Sequence, residues 1–166
     1  LNTEDPTLPS IIVGEKNNEL QGAVVVINTS ANALNGLQLK TIVSGKTSTR
    51  NLPSIPGMSS RKVAFRFDGS AVTAAGKPVC QIALLQKGKV LDEGSVQIET
   101  VNASDKWSNT FISGIDGSLQ YYAVAPQANG AQKGSALFLS VHGAGVEAIG
   151  QARAFKSKEH ANSKSR

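Results

Sequence analysis

Between Ser10 and Val101 apolar and polar residues alternate with a period of two, and clusters of Gly, Pro and Asn break the alternation at intervals. In Leu37–Val43, the side chains of Leu37, Leu39, Thr41 and Val43 share one face, and Gln38 and Lys40 take the other. In residues 62–67, Val63, Phe65 and Phe67 oppose Lys62 and Arg66 in the same way. Residues 22–28 form a strongly β-branched run. Residues 79–85 and 95–101 continue the series, and 79–85 is apolar enough for a central strand. The separators carry turn chemistry: Asn17-Asn18, Asn35-Gly36, Pro53 to Gly57, Asp68-Gly69, Gly76 to Pro78, and Gly88 to Gly94 around a small hairpin. No helical stripe of useful length precedes residue 145. The pattern predicts an antiparallel β-sandwich.

The rhythm changes after that. Residues 102–109 are polar, carry Trp107, and read as a linker or domain boundary. Residues 110–115, Asp116-Gly117 and 118–124 then spell a hairpin. A loop leads into residues 135–141, an apolar run without alternation that predicts a strand buried on both faces. It empties into His142-Gly143-Ala144-Gly145. Beyond lies a helix over 146–155, with Val146, Ala148, Ile149, Ala152 and Phe155 on one side and Glu147 in its first turn. From Lys156 onward only Ala161 is apolar, which suits an exposed helix end or a frayed tail. The expected division is a sandwich over residues 1–104 and a second unit over 105–166.

Composition narrows the picture. The 166 residues are 40% hydrophobic but only 5% aromatic, so the core must be built from Val, Ile, Leu and Ala. No apolar stretch approaches the ~20 residues that cross a bilayer as a helix, so no membrane span is expected. The formal charge of +5 suggests nucleic acid until it is located. Residues 151–166 hold Arg153, Lys156, Lys158, Lys164 and Arg166 against Glu159, a net +4, leaving +1 for the rest. A nucleic-acid face would spread its cations over a surface and interleave aromatics, so this partner is excluded. Cys80, the single cysteine, falls in an apolar strand and reads as a buried, inert thiol.

Two stretches resemble known families. The segments "GAVVVINTSANALNGLQLKTIVSG" and "IPGMSSRKVAFRF" are similar to immunoglobulin-like or fibronectin type III-like accessory modules of secreted bacterial enzymes. That likeness, with a start at Leu1 that lacks Met or a leader, implies an extracytoplasmic (periplasmic or secreted) location. "FISGIDGSLQYYAVAPQ" followed by "GSALFLSVHGAG" resembles the start of the catalytic domain in α/β-hydrolases of the prolyl oligopeptidase and esterase type. The implied fold is mainly β, a sandwich followed by the first hairpin, strand and helix of an α/β-hydrolase domain. The resemblance implies an oxyanion hole from the N–H groups of Gly143 and Ala144, with His142 and Gly145 supporting the loop. Such donors need small side chains around them so that a substrate carbonyl can approach.

The rest of a hydrolase is missing. No G-x-S-x-G occurs, and neither His142 nor His160 stands in a plausible triad, so no catalytic residue is assigned in this chain. No metal-ligand spacing, phosphate loop or dinucleotide fingerprint appears, and no metal or cofactor is expected. Asp92-Glu93 reads as a solvated pair in a hairpin loop rather than a glycosidase pair. The leading expectation is the accessory and oxyanion-loop portion of a serine peptidase or esterase, inactive alone. Its partners would be the remainder of the catalytic domain and an ester or peptide substrate. Residues 110–150 would then expose strand edges and apolar surface. Two alternatives stand beside it. The weaker reading of His142–Gly145 is a plain strand-to-helix turn, and the runner-up for the chain is a non-catalytic sandwich binding carbohydrate or protein. Trp107, Tyr121 and Tyr122 are the aromatics for such a site, with the two tyrosines on opposite faces of one strand.

Overall fold

A computed structural model of the chain describes residues 1–126, 139–141, 145 and 148–154. The described residues form a mainly β fold in which two antiparallel sheets face one another. Strands β1 (Asn2–Thr7), β3 (Leu20–Asn28) and β6 (Ser59–Phe67) make the first, in the order β1-β3-β6. Strands β4 (Leu37–Val43), β5 (Lys46–Asn51), β7 (Val79–Gln86) and β8 (Lys89–Gln97) make the second, in the order β5-β4-β7-β8. The short β2 (Ile11–Ile12) pairs in parallel with β9 (Thr100–Val101). The opening segment thus pairs with β3 of the first sheet and then with the continuation of β8.

The core is the set of residues that alternation turns inward. Val24 and Val26 of β3 and Val63, Phe65 and Phe67 of β6 meet Leu37, Leu39 and Val43 of β4 and Cys80, Ile82 and Leu84 of β7. Phe65 and Phe67 lie with ring centroids 6.0 Å apart. Thr41 occupies an inward position that an aliphatic residue would otherwise fill. Its hydroxyl donates to the Arg66 carbonyl of the opposite sheet at 2.6 Å, which satisfies a polar group that burial would otherwise penalise.

Asn28 closes one end of the sandwich. It is buried, and its Nδ2 donates to the carbonyls of Asn32 (2.8 Å), Pro56 (2.9 Å) and Ile55 (3.2 Å). Its Oδ1 accepts from the Ser30 amide and hydroxyl at 3.1 and 2.8 Å. One side chain therefore joins the loop after β3 to the loop before β6. Gly57 lies at the same junction, where a Cβ would run into the Ala31 carbonyl.

Several expected boundaries change. Residues 95–101 are not one strand, because the chain breaks between β8 and β9 where the Ile98 amide turns to the Pro78 carbonyl at 3.0 Å. The small hairpin turns at Lys87-Gly88, and β8 already begins at Lys89, so Asp92 and Glu93 sit on a strand and not in a loop. Successive strand residues point to opposite faces, which separates these two carboxylates. Trp107 does not lie in a linker: it opens β10 (Trp107–Ile112), paired with β11 (Leu119–Val124). Tertiary pairing with Val124 supplies what the polar local sequence did not advertise.

Candidate functional site

The region to which sequence assigns chemistry begins with the β10–β11 hairpin. Asp116-Gly117 is not a two-residue turn. The Ser113 amide donates to the Ser118 carbonyl and the Gly117 amide to the Ser113 carbonyl, closing a four-residue loop over 114–117. Gly117 takes φ = 68°, which glycine adopts without a Cβ penalty. The Asp116 carboxylate accepts from the Ser118 amide (3.1 Å) and hydroxyl (2.8 Å), and these bonds hold its pKa below the ordinary carboxylate value.

One face of the hairpin is tied to the sandwich. The Ser10 amide donates to the Ser108 carbonyl at 2.8 Å, the Ser108 hydroxyl to the Leu8 carbonyl at 3.1 Å, and the Thr110 hydroxyl to the Gln21 carbonyl at 2.7 Å. Leu119 is buried, and Tyr121, on the same face, is half-buried. The Tyr121 hydroxyl accepts from the Ala148 amide at 3.2 Å, satisfying a free N–H in the first turn of α1 (Ala148–Ala154). Ala152 is buried, and Arg153 pairs with Glu99 of the sandwich.

The opposite face is open. Trp107, Asn109 and Phe111 on β10 stand with Gln120, Tyr122 and Val124 on β11. Tyr122 sits between the other two rings, 6.3 Å from Trp107 with planes at 63° and 6.2 Å from Phe111 with planes at 47°. Phe111 and Tyr122 are 49% and 43% exposed, and the Asn109 amide donates to the Tyr122 hydroxyl at 3.3 Å. None of the six residues is ionisable at neutral pH. Sequence reasoning placed the two tyrosines on opposite faces, as they are, but left Phe111 out.

Of the assigned oxyanion residues, His142, Gly143 and Ala144 lie outside the described residues. Gly145 is exposed, in a turn with φ = 76°, three residues before α1, and nothing stands within 4 Å of where a Cβ would be. The end of the apolar run is described at Leu139, Ser140 and Val141. These three are not in a strand, and Leu139 and Val141 are 83% and 91% exposed. A strand needs a hydrogen-bonded neighbour, and β10 and β11 pair with each other alone among the described strands. Ile115 at the hairpin tip is 99% exposed.

Cys80 is fully buried, and desolvation pushes its pKa up to about 12, so the thiolate that a nucleophile requires does not form near neutrality. Among the described residues no group of three His, Cys, Asp or Glu side chains is placed to hold a metal ion. No described helix is long and apolar enough to cross a membrane. No family model matches the chain, and no curated protein matches it.

Proposed function

We propose that this chain is the accessory sandwich and oxyanion-loop portion of a serine α/β-hydrolase of the prolyl oligopeptidase and esterase type, acting on an ester or peptide bond. The nucleophile, acid and base come from outside these residues. The observation that carries the reading is a sheet of two strands in a chain that leaves large aliphatic side chains in solvent. Ile115 at the hairpin tip and Leu139 and Val141 at the end of the apolar run stand in solvent, and the hairpin's own sheet has only two strands. A two-stranded sheet and solvent-exposed aliphatic side chains are what the remaining strands of a catalytic domain would cover.

Other features support it. Gly145 has a positive φ in the turn ahead of α1, which is the backbone that a glycine loop turning from a strand toward a helix requires. The strand order β1-β3-β6 facing β5-β4-β7-β8 suits an immunoglobulin-like or fibronectin type III-like module. In this reading the extracytoplasmic module positions the catalytic domain through the hairpin and α1.

The test is the coding sequence beyond Arg166, read together with two proteins. The chain alone gives no turnover of a fluorogenic ester and no labelling by a serine-reactive phosphonate. The longer product carries a G-x-S-x-G elbow followed by Asp and His, is labelled, and turns the ester over. A stop codon directly after Arg166, or phosphonate labelling of the short chain, overturns the proposal.

A further inference from the structure

Two kinds of apolar side chain reach solvent among residues 107–141. Ile115, Leu139 and Val141 are aliphatic and suit protein. The row of Trp107, Tyr122 and Phe111 is different, because amide side chains flank its rings and the Tyr122 hydroxyl takes part. We propose that this row is a binding site for a single chain of a neutral, soluble polysaccharide.

Three observations carry it. The first is the combination of groups. Aromatic faces attract the apolar C–H faces of pyranose rings, while Asn109 and Gln120 supply donors and acceptors of the kind that recognise hydroxyls. The second is charge: in a chain that is 17% charged, this face holds no ionisable group at neutral pH, so it matches a ligand without charge. The third is geometry. Tyr122 lies 6.3 Å from Trp107 and 6.2 Å from Phe111, and neither pair of rings is coplanar, their planes standing at 63° and 47°. Coplanar rings would suit a flat crystalline surface. Rings that are not coplanar suit a single, separate chain instead.

The half-exposure of Phe111 and Tyr122 points the same way. Rings of this size are normally buried, and their exposure together on one face is the surface feature that calls for a ligand. The site is independent of the hydrolase proposal, since it uses neither the glycine loop nor Ile115, Leu139 and Val141.

Trp107 is the sole tryptophan, so the full 166-residue chain reports on its own site. The experiment titrates it with the hexasaccharides of β-1,4-linked xylose, glucose, mannose and N-acetylglucosamine, following Trp107 emission and checking by calorimetry. At least one should give a saturable shift. Phe111→Ala and Tyr122→Ala should each weaken that binding about tenfold, the effect of removing one stacked ring. Tyr122→Phe, which keeps the ring and is the gentler change for folding, should retain most of it. The proposal is overturned if none of the four sugars shifts the emission, or if both alanine variants, folded by circular dichroism, bind as the parent does. It is also overturned if the chain self-associates through this face, shown by a sedimentation coefficient that falls to the monomer value in Tyr122→Ala.

Discussion

Replacing Asn28 by Asp changes one NH2 group into an oxygen and leaves shape and volume almost untouched. In the parent, that NH2 faces three carbonyl oxygens at 2.8, 2.9 and 3.2 Å in a buried site. An aspartate at this position has no proton to give them. Each hydrogen bond lost contributes about 1 kcal/mol net, and a carboxylate oxygen buried against three carbonyl oxygens costs several more, only partly offset by the two Ser30 donors on its other oxygen, so the variant should lose about 3–5 kcal/mol at pH 7. Against a total stability of about 5–15 kcal/mol this is a large fraction. The effect has a pH signature. Burial among acceptors raises the folded-state pKa of the new carboxyl above its unfolded value of about 3.9. The stability that the protonated form retains is therefore present below pH 4 and is lost as pH rises through the folded pKa. Urea unfolding of parent and Asn28→Asp at pH 4 and pH 7, compared within each pH, measures both parts. A difference under about 1 kcal/mol at pH 7, or a penalty that grows on acidification, would refute the reasoning.

Two further outcomes follow from the same packing. Gly57→Ala places a Cβ against the Ala31 backbone, which cannot rotate away, so urea denaturation should show a loss of at least about 2 kcal/mol; a loss under half that would mean the two loops shift freely. Cys80, fully buried and with its thiol pushed up to about 12, should resist a disulfide-exchange reagent at pH 8 until the chain is unfolded, and rapid modification of the native protein would contradict its burial.

The strands that sequence located are those that bury one face. β4, β6 and β7 alternate because their inward side chains fill the core, and burial writes a period of two into them. β5 was not visible: Lys46–Asn51 pairs with β4 at the sheet edge, and its side chains stay exposed or half-exposed, so no apolar period marks it. The first half of β8 hides for the same reason, with Lys89 to Glu93 all exposed. The aromatic row was more legible than it was read to be. A two-residue Asp116-Gly117 turn would pair Ile115 with Ser118, whereas the four-residue loop brings Ser113 opposite Ser118. That is a shift of two residues, and an even shift preserves which side chains share a face. Phe111, Trp107 and Tyr122 would have fallen together under either turn.

The same hairpin shows why a boundary near residue 104 does not make residues 105–126 self-sufficient. An isolated two-stranded sheet is marginally stable in water at best. This one is secured by the Ser10–Ser108 and Thr110–Gln21 bonds, which reach across 98 and 89 residues of sequence to the first sheet or its lead-in. The Tyr121 hydroxyl then passes that order on to α1 by taking the Ala148 amide, and Arg153 returns to the sandwich at Glu99. The sandwich thus fixes one face of the hairpin and one end of α1, and leaves the aromatic row on the other face exposed. Rigid placement matters to both proposals. A glycan on the row would be held in a set position relative to the sandwich, and strands added to the hairpin would be set against a sheet that is already oriented.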